Sequence, residues 1–295
     1  MTIKFNSKLL LFGEYGIIKG SMGLAYPLQK YFGYLKFSNQ NISEDLRLNE
    51  FLNYLSGSSL FNQELDLKKF EEDIAKGLFF DSNIPIGHGI GSSGALCASI
   101  FSHYSKHFER KKNYSQSELK YLKDLMALME SYYHGSSSGV DCLISLIDRP
   151  LMIKGRNEIE LINVNGIQKL GHFYLYESNL RRKTSPLVHA FLEDYETDEL
   201  FQSDVHQYME LSDLLIRDFI ELDKESFKMR MEKLTKLQYF TFKKMIPRHV
   251  EKIWIDSIES KKYSVKLCGA GGGGFYLIYS PDEKIIHPNF IEVKL

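Results

Sequence analysis

Four glycines fall within ten residues at Pro85–Gly94, which reads Pro-Ile-Gly-His-Gly-Ile-Gly-Ser-Ser-Gly. Apolar residues then recur at helical spacing from Ala95 onward. The segment therefore predicts a loop that ends at a helix N-terminus, where unpaired N–H groups and the helix dipole favour an anion such as phosphate. Glycines let the backbone approach the anion, and serines at the helix start can cap it or bind phosphate or Mg2+. The predicted phosphate-binding residues are Pro85, Gly87, Gly89, Gly91, Ser92 and Ser93.

Three other interpretations of this loop compete. Gly89–Gly94 formally matches G-x-G-x-x-G, but a dinucleotide site needs a preceding strand and an acidic residue about 20 positions on. Asp81–Pro85 is a poor strand, and the charged run Glu109–Lys112 follows at that distance. A P-loop is excluded because no Gly-Lys-Ser/Thr follows. A glycine-rich helix cap without a ligand explains the segment, taken alone, about as well as a phosphate site.

A second candidate feature is a pair of acidic residues, Glu130 and Asp141, on either side of the small-residue stretch His134–Gly139. One carboxylate could hold Mg2+, and the other could accept a proton from an attacking hydroxyl. A lysine beside the second carboxylate would keep it ionised, and Lys8 is the candidate. For a single acidic residue a solvated surface position is the commoner case, and His134 on its own is more commonly structural.

The wider pattern predicts an α+β fold, because strand-like and helix-like segments mix without a regular βαβ repeat. Ser117–Tyr132 has helical spacing and Phe275–Tyr279 reads as a strand, whereas the polar stretch Asn39–Leu60 fits neither pattern. Tyr15–Ile18 is predicted to be extended. The pattern restarts near residue 168, so we predict domains at 1–168 and 169–295.

Charge and composition exclude several classes of function. Lys and Arg number 37 against 38 for Asp and Glu, and a net charge of −1 argues against a nucleic-acid partner. No apolar run approaches about 18 residues, so we expect no membrane span. The three cysteines are scattered, as in proteins of reducing compartments, and a cytoplasmic protein is expected. A homodimer is compatible with the sequence.

Three segments together resemble the GHMP small-molecule kinase family. Lys8–Gly20 is similar to its first motif, Pro85–Gly94 to its second, the ATP phosphate loop, and Lys266–Gly274 to its third, a glycine-rich turn. The resemblance implies ATP and Mg2+ as cofactors. It also implies a ribosomal-protein-S5-like N-terminal domain that binds ATP and carries the catalytic residues, followed by a ferredoxin-like α/β sandwich on the substrate side.

Within that family, Glu130–Asp141 is similar to the corresponding segment of mevalonate kinases. This likeness implies that Asp141 is the catalytic carboxylate, that Lys8 is its partner, and that Ser93 and Glu130 bind Mg2+. The implied reaction is phosphorylation of the 5-hydroxyl of mevalonate in isoprenoid precursor synthesis. The residues expected on the substrate side are Glu14, Tyr15, His134, Ser138, Thr184 and Gly271.

Departures from the mevalonate kinase pattern keep other acceptors open. Ser137 stands where those enzymes usually have proline, and Tyr15 where they usually have histidine. Gly-Glu-Tyr is more typical of phosphomevalonate kinases, so phosphomevalonate or another metabolite is an alternative acceptor. The run 181–183, Arg-Arg-Lys, could bind an acceptor carboxylate or form a solvated turn. A non-catalytic regulator that binds nucleotide or metabolite is a further alternative, although it would not need Lys8 and Asp141.

Overall fold

The computed structural model describes residues 3–38, 46–155, 158–181 and 184–295. It divides into two compact units that interleave along the chain. The first unit comprises Met1–Lys8, Gln29–Ile84 and Gly91–Arg149, and the second comprises Leu9–Leu28, Pro85–Ile90 and Pro150–Leu295. The predicted 1–168 and 169–295 domains stay a prediction, and the compact units do not follow that single boundary.

Helices dominate the first unit. Its elements, together with two strands that continue into the second unit, are β1 (Phe5–Phe12), β2 (Met22–Phe37), α1 (Leu46–Ser56), α2 (Ser59–Glu64), α3 (Leu67–Ala75), β3 (Leu78–Ser82), α4 (Ser92–Tyr104), α5 (Gln116–His134) and α6 (Val140–Ile147). The second half of β2 pairs antiparallel with β3, from Gly33 opposite Ser82 to Phe37 opposite Leu78. This antiparallel pairing differs from the parallel βαβ unit of a dinucleotide site.

Helices α4, α5 and α6 build the core of the first unit and carry its candidate site. A capping box starts α5: the Ser115 hydroxyl accepts the Glu118 N–H, and the Glu118 carboxylate accepts the Ser115 N–H. The helix buries Leu119, Leu122 and Met126 on one face, as its spacing predicts, and it continues one turn beyond Glu130. Glu130 therefore lies on a rigid, buried helix face.

The second unit combines antiparallel strands with long helices. Its further elements are β4 (Leu151–Lys154), β5 (Glu158–Leu161), β6 (His172–Glu177), α7 (Thr184–Thr197), α8 (Glu199–Glu221), α9 (Lys224–Thr241), α10 (Arg248–Ser260), β7 (Ser264–Leu267), β8 (Phe275–Ser280) and β9 (Phe290–Val293). One sheet has the order β1-β2-β4-β5, with β3 also paired to β2, and the other has the order β7-β8-β6-β9. Every residue of β8 is buried, which is expected for a strand paired on both sides.

The α+β class is confirmed, and three local expectations need correction. The predicted extended segment at Tyr15–Ile18 is wrong: Gly16–Lys19 is a 3-10 helix, and Tyr15 has a positive φ of 59°. The polar stretch that fitted no pattern includes α1 and the first residues of α2, and a strand, β3, stands before the glycine loop. Among the described residues, no helix combines the length and apolar character that a membrane crossing requires.

Candidate active site

Lys8 and Asp141 form an ion pair in the first unit. The Lys8 Nζ lies 3.0 Å from the Asp141 Oδ1, and the Lys8 side chain is only 9% exposed whereas that of Asp141 is 34% exposed. Strand β1 positions Lys8, and Asp141 occupies the first turn of α6, where the helix dipole stabilises a negative charge. A buried cation thus holds a carboxylate that remains accessible to a ligand.

Glycines bring the start of α4 against this pair. Gly91 has a φ of 82° and immediately precedes the helix, and a Cβ at this position would lie 3.1 Å from the Lys8 Cγ. A Cβ at Gly94 would lie 3.0 Å from the Asp141 carbonyl carbon. Side chains here would push the helix away, so these glycines set the distance between the helix N-terminus and the carboxylate.

Glu130 is the centre of a hydrogen-bonded cluster in the same unit. The Ser93 hydroxyl donates to the Glu130 Oε1 at 2.8 Å and lies 3.0 Å from the His134 Nε2. The Ser137 hydroxyl donates to the other carboxylate oxygen, Oε2. Glu130 is 4% exposed, so these hydroxyls compensate for the burial of its charge. The structure therefore brings Ser93 and Glu130 together, as the family resemblance implies, and adds His134 to the same cluster.

Ser93 and Glu130 fit a magnesium ion that is also bound by phosphate. Their two oxygens are 2.8 Å apart, close to the roughly 3 Å that separates neighbouring ligands in an octahedron with metal–oxygen distances of about 2.1 Å. Within the described ranges, no group of three or more His, Cys, Asp or Glu side chains could hold a metal. The geometry suits Mg2+, which commonly binds through one or two carboxylates plus phosphate oxygens.

The loop between α5 and α6 depends on two glycines in left-handed conformations. Gly135 has a φ of 72° and Gly139 a φ of 74°. A Cβ at Gly139 would lie 2.1 Å from the Lys123 carbonyl oxygen, whereas a Cβ at Gly135 would meet nothing within 4 Å. Ser138 is exposed and its hydroxyl accepts the Val140 N–H at 3.4 Å, which supports the start of α6.

Gly139→Ala is expected to destabilise the protein by about 3 kcal/mol or more, because backbone atoms of α5 occupy the space that the methyl group needs. Gly135→Ala is the control: its φ is also positive, but a Cβ there meets nothing within 4 Å, so it should cost only about 1–2 kcal/mol of backbone strain. Urea unfolding of both variants measures the difference. Equal losses of unfolding free energy would contradict the packing argument.

The first half of the glycine-rich loop Pro85–Gly94 belongs to the second unit. Gly87 and Gly89 have φ values of 83° and 73°, so the predicted unusual backbone at these glycines is confirmed. The His88 Nε2 lies 3.3 Å from the Glu177 Oε1 at the end of β6. A Cβ at Gly274 would lie 2.4 Å from the His88 carbonyl oxygen, so the third glycine-rich segment packs directly against the loop backbone.

Glu14 is deeply buried in the second unit. Its carboxylate accepts hydrogen bonds from the Lys266 Nζ at 2.5 Å and from the Tyr208 hydroxyl at 3.0 Å. Burial raises the pKa of Glu14 above its usual 4.5, while the Lys266 charge acts in the opposite direction. Burial also raises the pKa of Tyr208 well above its usual range, and Glu14 adds to this effect, so the hydroxyl remains a donor. Glu14 therefore joins the first and third motifs, and its substrate contact stays a prediction.

The remaining residues predicted on the substrate side differ in their surroundings. The Tyr15 hydroxyl donates to the Ala270 carbonyl at 2.6 Å, and its ring stacks on Phe191 with centroids 4.6 Å apart. Gly271 is buried with a φ of 70°, and a Cβ there would lie 2.5 Å from the Met245 carbonyl oxygen. Thr184 is exposed at the start of α7. Of the basic run, Arg181 is described, and residues 182 and 183 lie outside the described residues.

Several residues of these clusters had no assigned role in the sequence reasoning. Ser137 was noted only as a replacement for proline, although a hydroxyl seven residues after Glu130 could have signalled the hydrogen bond. Lys266 begins the third motif, but nothing in the sequence indicated that it pairs with Glu14. His88 and Tyr208 carried no signal, because their partners lie far away in sequence.

Comparisons with known proteins place this fold. The family model described as the GHMP kinases N terminal domain matches residues 54–149. No curated protein sequence matches the chain. Among solved structures, a mevalonate kinase is 20% identical with a TM-score of 0.67, and the match covers 100% of both chains. A Methanococcus jannaschii mevalonate kinase is 22% identical with a TM-score of 0.65 over 96% of this chain and 92% of its own. An L. major mevalonate kinase in complex with R-mevalonate is 15% identical with a TM-score of 0.65, over 96% and 88%. These likenesses show the fold.

Proposed function

We propose that the chain, whose residues 54–149 match the family model of the GHMP kinases N terminal domain, transfers the γ-phosphoryl group of ATP to the 5-hydroxyl of mevalonate. The observation that carries the proposal is the Lys8–Asp141 ion pair at 3.0 Å, next to the start of α4. Phosphoryl transfer depends mainly on positioning and on charge stabilisation. This arrangement supplies an accessible base, a buried cation and a helix N-terminus in one unit.

Asp141 is the proton acceptor in the proposed reaction. Its carboxylate would take the proton of the acceptor hydroxyl as the hydroxyl oxygen bonds to the γ-phosphorus and the bond from that phosphorus to the bridging oxygen breaks, so that ADP leaves. Lys8 pairs with the Asp141 Oδ1 at 3.0 Å and so fixes the orientation of the carboxylate. The same ammonium group would stabilise negative charge that develops on the transferred group.

The nucleotide phosphates would lie on the glycine loop. Backbone N–H groups at the start of α4, together with Ser92 and Ser93, face the anion in this proposal. Ser93 and Glu130 would hold Mg2+, which neutralises phosphate charge when bound. Ser137 and His134 fix the orientation of these two ligands through their hydrogen bonds.

Mevalonate is supported as the acceptor by the segment from Glu130 to Asp141 and by the fold shared with mevalonate kinases, one of them complexed with R-mevalonate. Phosphomevalonate or another small alcohol is the alternative, favoured by Tyr15 in the Gly-Glu-Tyr sequence. A regulator without catalysis would not need the Lys8–Asp141 pair. A cytoplasmic location is part of the proposal.

Glu130→Gln is expected to raise the Mg2+ concentration needed for half-maximal activity by about tenfold or more, because a charged ligand becomes a neutral amide of the same shape. Glu71→Gln is the matched control, since Glu71 is exposed on α3. Magnesium titrations of ADP release at saturating ATP measure the effect. A Glu130→Gln titration that superimposes on that of the control would remove Glu130 from the metal site.

A coupled assay of ADP release tests the acceptor. Mevalonate, phosphomevalonate, homoserine and galactose are compared at equal concentrations. The proposal expects ADP release with mevalonate well above the rate without an acceptor. Release with phosphomevalonate alone would move the assignment to that acceptor, and no release with any of them would favour the regulator.

A further inference from the structure

The segment Ser178–Arg181 is attached to the third glycine-rich motif in the second unit. The Ser178 N–H donates to the Gly274 carbonyl at 2.9 Å, and the Gly274 N–H donates to the Leu180 carbonyl at 2.8 Å. A Cβ at Gly273 would lie 2.6 Å from the Leu180 carbonyl oxygen, so the two backbones are in close contact. These contacts fix the chain position from which the Arg181 side chain leaves.

The aliphatic stem of Arg181 lies against the phosphate loop. A Cβ at Gly87 would lie 3.4 Å from the Arg181 Cγ and 3.5 Å from its Cδ. The stem therefore covers the side of Gly87 that a side chain would otherwise occupy. Gly274, which is hydrogen-bonded to this segment, contacts the next loop residue, His88. Arg181 and Gly274 therefore contact two consecutive residues of the loop.

Arg181 carries a positive charge that no carboxylate of the described chain neutralises. Glu177, the acidic residue four positions earlier, is already paired with His88 at 3.3 Å. Arg181 is exposed. If residues 181–183 were only a solvated turn, neither the aliphatic stem of Arg181 nor its guanidinium group would need a contact with the protein. In the structure the stem packs against Gly87, and the guanidinium group is accessible to a ligand. This arrangement is expected of a residue that binds an anion.

We propose that Arg181 binds the phosphate chain of the nucleotide at Gly87, and not the carboxylate of the acceptor. This inference rests on the proposed function, since it requires ATP on the loop. A guanidinium can donate two parallel hydrogen bonds to phosphate oxygens, which a backbone loop alone cannot supply. Gly87 and Arg181 both belong to the second unit, so the proposed contact depends on that unit alone.

Calorimetric titration of the whole protein with ATP and with adenosine tests the proposal. Arg181→Met keeps the stem over Gly87 and removes the charge, and Arg181→Lys keeps the charge without the planar donors. Arg217→Met is the matched control, because Arg217 is exposed on α8. We expect Arg181→Met to weaken ATP binding by about 10- to 100-fold and to leave adenosine binding unchanged. Arg181→Lys should fall between the wild type and Arg181→Met.

The outcomes separate this inference from the proposed function. A wild type that binds no ATP would overturn both. Equal ATP affinities of the wild type and Arg181→Met would overturn the role of Arg181 and leave the proposed function intact. If Arg181→Met kept the wild-type ATP affinity but had a raised KM for the acceptor, Arg181 would be assigned to the acceptor carboxylate instead. Equal weakening of ATP and adenosine would indicate a distorted loop and would also overturn the phosphate contact.

Discussion

Asp141→Asn is expected to lower turnover by about a thousandfold while ATP binding is retained. The amide has nearly the shape of the carboxylate but cannot accept the proton of the attacking hydroxyl. Asp141 also faces Lys8 at 3.0 Å, so the substitution removes the charge that the ammonium group balances. Single-turnover measurements with pre-bound ATP separate the chemical step from nucleotide binding.

Asp124→Asn is the matched control for this substitution. Asp124 lies on α5 in the same unit, and its side chain is 55% exposed. The control should keep wild-type turnover, because Asp124 has no part in the Lys8–Asp141 pair. Near-normal turnover in Asp141→Asn would remove Asp141 from the role of base.

Lys266→Met is expected to reduce the free energy of unfolding by about 3–5 kcal/mol, because it leaves the Glu14 carboxylate buried without its cation. Both side chains of this pair are fully buried, so water cannot replace the lost partner. The double variant Glu14→Gln/Lys266→Met should lose less than the sum of the two single variants. Urea unfolding measures all three. Lys228→Met is the control, since its ion pair with Asp282 is exposed and should cost about 1 kcal/mol or less.

The same buried carboxyl predicts the pH dependence of these variants. Burial raises the pKa of Glu14 above 4.5, and Lys266 opposes this rise, so the raised pKa should increase further in Lys266→Met. The folded state then binds a proton more tightly than the unfolded state. Stability is therefore greatest below the unfolded pKa and is lost as the pH rises through the folded pKa. Lys266→Met should therefore have a lower free energy of unfolding at pH 8 than at pH 5. If the difference in unfolding free energy between Lys266→Met and the double variant did not change with pH, the role of Glu14 would be contradicted.

The sequence predicted the features that local chemistry controls. The positive φ values of Gly87, Gly89 and Gly91 and the start of α4 at Ser92 follow from glycine and serine within ten residues. The helical spacing of α5 likewise predicted its buried face. Neighbouring residues are sufficient for such features, because they set the backbone conformation directly.

Long-range partners account for what the sequence did not predict. Tyr15 read as part of an extended segment, but its hydroxyl bonds to Ala270 and its ring stacks on Phe191, and these contacts accompany a left-handed backbone. Glu14 looked available to a substrate, yet Lys266 and Tyr208 surround its carboxylate. The Lys8–Asp141 contact could be inferred only from the family resemblance, because spacing along the chain does not bring these residues together.

The most direct test of the central claim is the product formed from ATP and R-mevalonate in the presence of Mg2+. Phosphorus NMR of the reaction mixture, with Asp141→Asn as the blank, identifies where the γ-phosphoryl group goes. We predict a phosphomonoester on the 5-oxygen of mevalonate, formed together with an equal amount of ADP by the wild type alone. Unchanged ATP and mevalonate, or ADP with free inorganic phosphate and no phosphomonoester, would contradict the claim that this chain is a mevalonate-phosphorylating kinase.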